Sequence, residues 1–588
     1  MIPLHRIWVA CMASLAVFAL VVGRLGYLQI YRHAALSMKA EREHARRFDQ
    51  THRGAILDRF GHVLAMTLGG GSCFADPKKI KNPAATARLL SPLLNVPAAE
   101  LETKFSQRRR FVWLARRLDP ERALQVKSQA LLGISVVTES KRFYPEETLA
   151  AQVLGVVGAD HAGASGVEQA TDGWLRGRST PYAFASMSFA SRFARLTAKG
   201  EAVPRSVVLT LDRTLQYIVE QELAAQMELS RAKSGTVIVQ DPHTGDILAM
   251  ASAPSFNPNL WGDRRARTGY TVDMLKNISV ESVVEPGSTF KLITAAAALD
   301  QRVVSLRDGF FCENGLWQIR GREIHDHEKD GWLTFTEVIS RSSNIGTAKV
   351  AMKVGPETLF RYARAFGFGM PTGCGLPGDG SGILRNPRVW SSGSLITIAF
   401  GQEVGVTPLQ MVNAYSVVAN GGLLLEPRLY KGVIDENGAY HEWESRRPIR
   451  RVVSNQTVAS LKRILKEAVD HGTGKSARVE GVEVAGKTGT AQKIDMATRR
   501  YHSDSFLASF CGFAPVESPR LVIGVFLDDP KTSQWGGAEA APLFSRIVRA
   551  ASSYLRWEPQ DMGPVAARMP ADPPAGQTGR FTRTITQL

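Results

Sequence analysis

The sequence predicts an α/β (α+β) protein whose largest domain contains a sheet that is at least partly antiparallel. Thr236–Gln240 and Ile247–Ala251 are short apolar runs, and the residues between them, Asp241 to Gly245, are typical of a tight turn. The two runs therefore predict a β-hairpin. Leu507–Phe513 and Leu521–Phe526 predict a second pair of strands. Because the chain between the pairs is mostly amphipathic or alanine-rich, and hence helical, all four strands are expected in one domain.

The composition excludes several classes of protein. Of the 588 residues, 44% are hydrophobic and 22% are charged, which is ordinary for a globular protein and unlike a disordered, collagen-like or mostly membrane-embedded chain. The net charge of +17 is compatible with nucleic acid, a membrane surface or an anionic polymer as partner, but the basic residues are scattered and form no nucleic-acid motif. The five cysteines form no Cys-x-x-Cys pair, which argues against a disulfide framework or a four-cysteine zinc site.

The N-terminus carries an apolar run from Ile7 to Gly23, which residues 25–30 extend past Arg24. A helix rises about 1.5 Å per residue, so about 20 residues reach across the hydrocarbon core of a bilayer. We therefore predict a cytoplasmic tail at residues 1–6 and a transmembrane signal anchor at residues 7–28. A cleaved signal peptide is the alternative, but Arg24 occupies the place where small residues should mark a cleavage site. Basic residues flank the run on both sides and leave its orientation open.

The region between the anchor and residue 205 is mixed, with short extended pieces and turns near residues 52–61. Aspartate directly before an amphipathic run, and proline at the first helical position, both mark the start of a helix. On these signals helices are predicted at Pro120–Ala130 after Asp119 and at Arg213–Met227 after Asp212. A helix is also predicted at Val167–Leu175, which follows a glycine-rich stretch. Residues 556–588 contain five prolines and few large apolar groups, so we predict a disordered C-terminal tail.

Ser288 and Lys291 form the first of three short motifs in the large domain. A Pro-Gly pair precedes Ser288 and an alanine-rich run follows Lys291, which predicts a buried helix with both side chains on one face near its start. A nearby amine can remove the proton of a serine if burial lowers the pKa of the amine toward neutrality. Taken alone, the pair is more typical of an N-capping serine followed by an exposed lysine.

Two further motifs follow in the chain. Ser-Ser-Asn at residues 342–344 comes after Phe335–Ser340, and Lys-Thr-Gly-Thr at residues 487–490 comes after the alternating residues 482–484. We predict that residues 487–490 lie on a strand, where the glycine lets a ligand backbone approach closely. Taken alone, the motif at residues 342–344 is typical of a polar helix end or turn, and the motif at residues 487–490 is typical of a basic edge strand. All three motifs, in this order and at these spacings, are far more specific.

Together the motifs resemble those of penicillin-binding proteins and serine β-lactamases. The chain is most similar to class B penicillin-binding proteins of the division-specific FtsI type, from the anchor to about residue 555. Outside the catalytic motifs, the resemblance is carried by Arg53–Gly61, Phe143–Pro145 and Gly163–Glu168. Cys73–Pro77 and Phe111–Arg116 favour the division type over the elongation type.

The resemblance implies an architecture. Residues 206–555 would form a penicillin-binding, serine β-lactamase-like transpeptidase domain with a central antiparallel sheet and helices on both sides. Residues 29–205 would form an elongated, membrane-proximal pedestal of the class B dimerisation type. The protein would span the inner membrane once, with its catalytic domain on the periplasmic side and its place at the division site.

The resemblance also implies a catalytic role for five residues. Ser288 would attack the carbonyl between the two terminal D-alanines of a peptidoglycan stem peptide, with Lys291 as its base. Ser342 would relay a proton to the leaving amine, and Asn344 would position Lys291 and the donor peptide. Lys487 would support the electrostatics of the site. D-Ala would leave, and the amine of a second stem peptide would resolve the acyl-enzyme to give a cross-link.

Three residues would bind the substrate, namely Thr488, Gly489 and Thr490. The two threonines would hold the terminal carboxylate, and the N–H groups of Ser288 and Thr490 would form the oxyanion hole. No cofactor or metal is implied, and β-lactams would acylate the same serine. Because the region before the catalytic domain is short for a glycosyltransferase, the implied partners are a SEDS-family glycosyltransferase of the FtsW kind and other divisome proteins, together with the membrane and without nucleic acid.

Other functions stay open at this point. An elongation-type transpeptidase would carry the same catalytic motifs. A D,D-carboxypeptidase or β-lactamase would resolve the acyl-enzyme with water, although a β-lactamase needs neither an anchor nor a pedestal. A penicillin-sensing scaffold would keep the fold without turnover, although intact motif residues argue against lost catalysis.

Two further groups of side chains have less specific explanations. The triplet His325-Asp326-His327 with Cys312 could suggest zinc, but a lone cysteine and His-x-His lack a complete set of four ligands at the usual spacing, so a solvated loop is expected. Glu285 precedes Ser288 closely, and we expect it to cap or pair locally rather than to act as a general base.

Overall fold

The computed structural model describes most of the chain between residues 53 and 557. The described ranges are 53–107, 111–158, 161–177, 204–262, 269–319, 321–443, 448–494 and 500–557, together with helical positions Trp8, Met12, Leu15, 18–20 and Arg24. Within these residues no helix has the length and apolar character that crossing a bilayer requires. Most of the predicted anchor at 7–28 and the tail from residue 558 onward lie outside the described residues, so both stay predictions.

Strands and helices are interspersed along the described chain. The strands are β1 (Ile56–Leu57), β2 (Val63–Ala75), β3 (Val112–Leu118), β4 (Ile134–Phe143), β5 (Ser206–Leu209), β6 (Ser234–Gln240), β7 (Ile247–Ala253), β8 (Gly309–Phe311), β9 (Leu316–Ile319), β10 (Arg322–His325), β11 (Trp332–Thr334), β12 (Leu423–Leu424), β13 (Tyr430–Ile434), β14 (Tyr440–Glu442), β15 (Arg450–Arg451), β16 (Ala485–Ile494), β17 (Tyr501–Ala514) and β18 (Leu521–Asp528). The helices are α1 (Pro83–Leu94), α2 (Ala98–Phe105), α3 (Pro120–Ser128), α4 (Ala151–Leu154), α5 (Gly166–Ala170), α6 (Asp172–Leu175), α7 (Arg213–Ser230), α8 (Ile278–Glu281), α9 (Lys291–Asp300), α10 (Phe335–Ser340), α11 (Asn344–Val354), α12 (Pro356–Ala365), α13 (Ser394–Ala399), α14 (Pro408–Ala419), α15 (Asn455–Asp470) and α16 (Gly536–Tyr554).

Residues 67–141 form one compact unit. In it the last part of β2 pairs with β3 in antiparallel register and also with β4. Helices α1, α2 and α3 contribute Leu90, Leu101 and Val126 to its core. The prediction of a helix from Pro120 is confirmed, with Asp119 at the N-cap position and the proline in the first turn.

The second unit comprises residues 53–66 and everything described from residue 142 onward. Its main sheet has the order β16-β17-β18-β6-β7, and every neighbouring pair is antiparallel. The two strand pairs predicted from the sequence are therefore confirmed and lie side by side. Asp212 accepts hydrogen bonds from Thr214 N and Leu215 N at 3.0 Å each, which confirms the predicted start of α7.

Alternating side chains of this sheet face two different hydrophobic layers. Val237 and Val239 of β6 pack in a layer with residues of α7 and α16, such as Leu223 and Phe544. Ile238, between them, packs on the opposite side in a layer that includes residues of α9 and α14. The central antiparallel sheet with helices on both sides, which the resemblance implied, is thus confirmed.

A second, mixed sheet in this unit joins β14, β13, β5, β1 and the start of β2. β1 runs parallel to β5, whereas β13 runs antiparallel to it. The single helix predicted at Val167–Leu175 is in fact two short helices, α5 and α6, which meet at Thr171.

Three sequence motifs of the predicted pedestal meet at one buried carboxylate, Glu168. Arg53 Nε donates to Glu168 Oε2 at 2.5 Å, and Arg142 Nε donates to Glu168 Oε1 at 2.6 Å. Tyr144 OH donates to the same oxygen at 3.3 Å, and Arg53 also pairs with Asp172. The Glu168 side chain is fully buried, so water cannot solvate its negative charge. The two guanidinium groups compensate this charge instead.

We expect Glu168→Gln to destabilise the protein strongly, by about 3–5 kcal/mol, because two buried guanidinium groups would lose their shared counter-ion. The measurement is thermal unfolding of the purified full chain by circular dichroism. The matched control is Glu436→Gln, which removes a partly exposed pair with Arg205 at 3.4 Å and should cost about 1 kcal/mol or less. Equal melting temperatures for the two variants would contradict the structural role of Glu168.

Candidate active site

Ser288 lies in a 3₁₀ turn, Gly287–Phe290, that leads directly into α9. The predicted position near the start of a buried helix is therefore confirmed. Gly287 has φ +54°, and a Cβ atom there would lie 2.8 Å from Thr490 O. Only glycine lets the turn lie this close to β16, so the residue before the serine brings the serine to the edge of the sheet.

The Lys291 side chain is fully buried and points to the second motif. Its Nζ donates to Ser342 O at 2.6 Å and to Ser342 Oγ at 3.1 Å. Burial lowers the pKa of Lys291 to about 7, although the nearby Asp326 and Cys312 act in the opposite direction. A large fraction of this amine is therefore neutral near pH 7, and a neutral amine can accept a proton from a nearby hydroxyl.

Residues 341–343 connect α10 to α11, and Asn344 is the first residue of α11. Ser342 has φ +67°, a left-handed conformation that non-glycine residues seldom adopt, and its carbonyl oxygen accepts the bond from Lys291. Ser343 caps α11, since its Oγ accepts from Gly346 N at 2.8 Å. Asn344 Nδ2 donates to His325 O at 2.9 Å, so the amide of this motif is fixed by the end of β10.

Residues 487–490 lie on β16, as predicted. Lys487 is almost fully buried, and burial together with the charge of Lys291 lowers its pKa well below the usual value. Its Nζ donates to Thr473 Oγ1 at 3.1 Å and to Thr488 Oγ1 at 3.2 Å, and the two hydroxyls lie 2.6 Å apart. Thr490 Oγ1 accepts from Gly536 N at 3.2 Å.

β16 is the terminal strand of the main sheet, and within the described residues no strand pairs with its outer edge. The space beside Gly489 is filled by protein, because a Cβ atom there would lie 2.4 Å from Ser509 Oγ and 3.0 Å from Pro286 O. Gly489 thus lets the strand lie against the turn that carries Ser288.

These residues surround a cleft of about 950 Å³. Five of the eight residues that the sequence singled out line it, namely Ser288, Ser342, Asn344, Thr488 and Thr490. The two lysines lie beneath the wall of the cleft, fully or almost fully buried. The structure therefore brings all three motifs together, with hydroxyls at the surface of the cleft and amines behind them.

Glu285 forms hydrogen bonds with residues that are distant in sequence, so the expectation of local pairing is wrong. Its carboxylate accepts from Glu403 N at 2.8 Å and from Tyr501 OH at 3.0 Å. Both partners are far away in sequence and come close only because the segment before α14 and the start of β17 fold against the turn of Ser288. Burial raises the pKa of Glu285.

The sequence did not reveal the roles of three residues in the site region. Thr473 bonds to the Lys487 amine, and Tyr501 bonds to Glu285. Asp326 was part of the triplet considered for zinc, but its carboxylate accepts hydrogen bonds from the first backbone N–H groups of α11. The flanking His325 and His327 side chains are each 65% exposed. The contacts of Thr473, Tyr501 and Asp326 depend on tertiary structure, so the spacing of residues in the sequence could not reveal them.

Comparison with known proteins gives the family. Residues 235–549 match the penicillin binding protein transpeptidase domain, and residues 49–183 match the penicillin-binding protein dimerisation domain. Stage V sporulation protein D of Bacillus subtilis is 33% identical over 576 residues, covering 94% of this chain and 86% of that protein. Peptidoglycan D,D-transpeptidase FtsI of Escherichia coli is 29% identical over 564 residues, covering 94% and 92%.

The solved structures agree with these matches. Penicillin binding protein 3 of Mycobacterium tuberculosis in complex with aztreonam superimposes with a TM-score of 0.67 at 29% identity, covering 86% of this chain and 96% of that one. The transpeptidase match spans more than half of the chain. With its three motifs assembled around one cleft, the chain belongs to the class B penicillin-binding proteins, in which a dimerisation domain precedes a transpeptidase domain.

Proposed function

We propose that this protein is a peptidoglycan D,D-transpeptidase that cross-links stem peptides through an acyl-enzyme on Ser288, in wall synthesis at the division septum. The observation that carries the chemistry is the buried Lys291 amine, which has a lowered pKa and bonds to Ser342 behind the cleft. Relatives named as peptidoglycan D,D-transpeptidases, among them FtsI, support the reaction.

In the acylation step, Ser288 Oγ attacks the carbonyl carbon between the terminal D-alanines, and its proton passes to the neutral Lys291 amine. The N–H groups of Ser288 and Thr490 stabilise the oxyanion. As the C–N bond breaks, a proton reaches the departing D-Ala amine through the Ser342 hydroxyl, which lies 3.1 Å from Lys291 Nζ. The amine of a second stem peptide then attacks the ester, regenerates the serine and leaves the cross-link.

The donor peptide would bind as an added strand along the outer edge of β16. Thr488 and Thr490 offer hydroxyls to its terminal carboxylate, and Lys487 orients the Thr488 hydroxyl through its 3.2 Å bond. Asn344, held by His325 O, faces the same cleft and supports the donor from the opposite wall.

The cellular setting is part of the proposal. Residues 7–28 would anchor the protein in the inner membrane, a pedestal at 29–205 would carry the transpeptidase domain at 206–555 on the periplasmic side, and a tail would follow. The division role rests on Cys73–Pro77 and Phe111–Arg116 and on the FtsI relative. A SEDS-family glycosyltransferase of the FtsW kind and other divisome proteins would be the partners, and the net charge of +17 suits anionic lipids and wall polymer.

A fluorescent penicillin should form a long-lived adduct with the wild-type protein and none with Ser288→Ala, because only the serine can be acylated. The measurement is gel fluorescence after labelling, followed by a chase with unlabelled penicillin. Rapid release of the label would favour the carboxypeptidase or β-lactamase alternative. A wild-type protein that takes up no label would overturn the enzymatic proposal.

The rate of acylation should rise with pH and reach half of its maximum near pH 7. Below that pH the Lys291 amine is protonated and cannot act as a base, whereas above it the amine is neutral. An ordinary lysine, with a pKa of about 10.4, would place the midpoint more than three pH units higher. Stopped-flow measurement of the second-order rate constant with a penicillin tests this, and a midpoint above pH 9 would contradict it.

A fluorescently tagged copy of the full chain should concentrate at the division septum. Fluorescence microscopy of dividing cells, with a general membrane dye as reference, distinguishes this from the dispersed lateral pattern of an elongation enzyme. A lateral pattern would contradict the division role and favour an elongation-type transpeptidase, without contradicting the proposed reaction.

A further inference from the structure

Asp326 connects the end of β10 to the start of α11. Its Oδ1 accepts from Asn344 N at 2.5 Å and from Ile345 N at 3.0 Å, and its Oδ2 accepts from Ser343 Oγ at 2.5 Å. The carboxylate therefore binds three consecutive residues that follow directly on Ser342. A negative charge at this place also complements the positive end of an eleven-residue helix.

The backbone on either side of Asp326 tightens the same connection. Asp326 N donates to Gly315 O at 3.0 Å, which fixes the loop, and the carbonyl of His325 holds the Asn344 side chain at 2.9 Å. Both the main chain and the side chain of Asn344 are thus positioned from residues 325 and 326.

On the premise that the proposed acyl transfer operates here, we propose that Asp326 is a positioning residue of the reaction. Its carboxylate fixes the start of α11 and thereby holds Ser342 against the Lys291 amine and Asn344 against the donor peptide. Asp326 does not touch the reacting atoms; it acts through the two polar residues of the second motif.

The left-handed backbone of Ser342 makes this support necessary. A non-glycine residue at φ +67° costs free energy relative to a right-handed turn, and neighbouring contacts must compensate for it. Ser343 N bonds to Val338 O at 2.9 Å on the α10 side, and Asp326 supplies the bonds on the α11 side. Without the carboxylate, the connection has fewer restraints that keep the Ser342 carbonyl on Lys291.

Asp326 also acts on the protonation of Lys291. The groups that act on this amine are Asp326 and Cys312, which raise its pKa, and burial, which lowers it more strongly; the amine in turn lowers the pKa of Lys487. Neutralising Asp326 removes one of the two groups that favour the protonated amine. The pH at which Lys291 becomes neutral should therefore fall.

The test compares Asp326→Asn with the wild type and with Glu323→Gln, in the full-length protein. Glu323 lies on the same strand, its side chain is 56% exposed, and its carboxylate pairs with His325 rather than with the second motif. We expect the second-order rate constant of penicillin acylation to fall about tenfold or more in D326N, because the catalytic groups lose their alignment. We also expect the midpoint of its pH profile to move below that of the wild type, whereas E323Q keeps both values.

The outcomes separate the two proposals. A wild-type protein that is not acylated at all defeats the proposed function itself. An acylated wild type with D326N equal to E323Q in rate and midpoint defeats the role of Asp326 alone. Should D326N fail to fold by circular dichroism, Asp326→Glu carries the test: its carboxylate keeps the charge but displaces the helix start, so a lower rate at an unchanged midpoint is expected, and an unchanged rate overturns the inference.

Discussion

The burial of the Lys291 amine is the constraint on which the rest of the active site depends. A lysine that is withdrawn from water must lose its proton or find compensation, and here burial brings its pKa to about 7. The amine still needs acceptors for its hydrogens, and the carbonyl and hydroxyl of Ser342 provide them. Ser342 has a left-handed backbone, and its carbonyl oxygen, which lies beyond the last residue of α10, accepts one of these bonds.

A second constraint is the close approach of the serine turn to the sheet edge. The turn lies beside β16 because a Cβ atom on Gly287 would meet Thr490 O and a Cβ atom on Gly489 would meet Pro286 O. This contact brings Ser288 and Thr490 to one wall of the cleft. The sheet is thus more than a scaffold, since its terminal strand supplies hydroxyls and a backbone edge to the site.

Local patterns predicted the elements that are decided locally. The hairpin at residues 236–251 follows from apolar runs around a turn, and the start of α7 follows from the capping Asp212, because both depend on neighbouring residues. The one-helix prediction at Val167–Leu175 missed the break at Thr171. The family motifs located the candidate catalytic residues, but not Asp326 or Thr473, whose contacts join segments that only the fold brings together.

Glu168 and Lys291 are both buried, and the charge of their partners distinguishes the structural group from the chemical one. Glu168 lies between two guanidinium groups at 2.5 and 2.6 Å, so its charge is matched and fixed. Lys291 is equally buried, but Asp326, the carboxylate that acts on it, is bound to the amides of α11 instead. A carboxylate bonded directly to Lys291 would stabilise the protonated amine and remove the base. Asp326 can therefore order the start of α11 and still leave Lys291 able to act as a base, because its carboxylate is bonded to Ser343 Oγ and to the amides of Asn344 and Ile345.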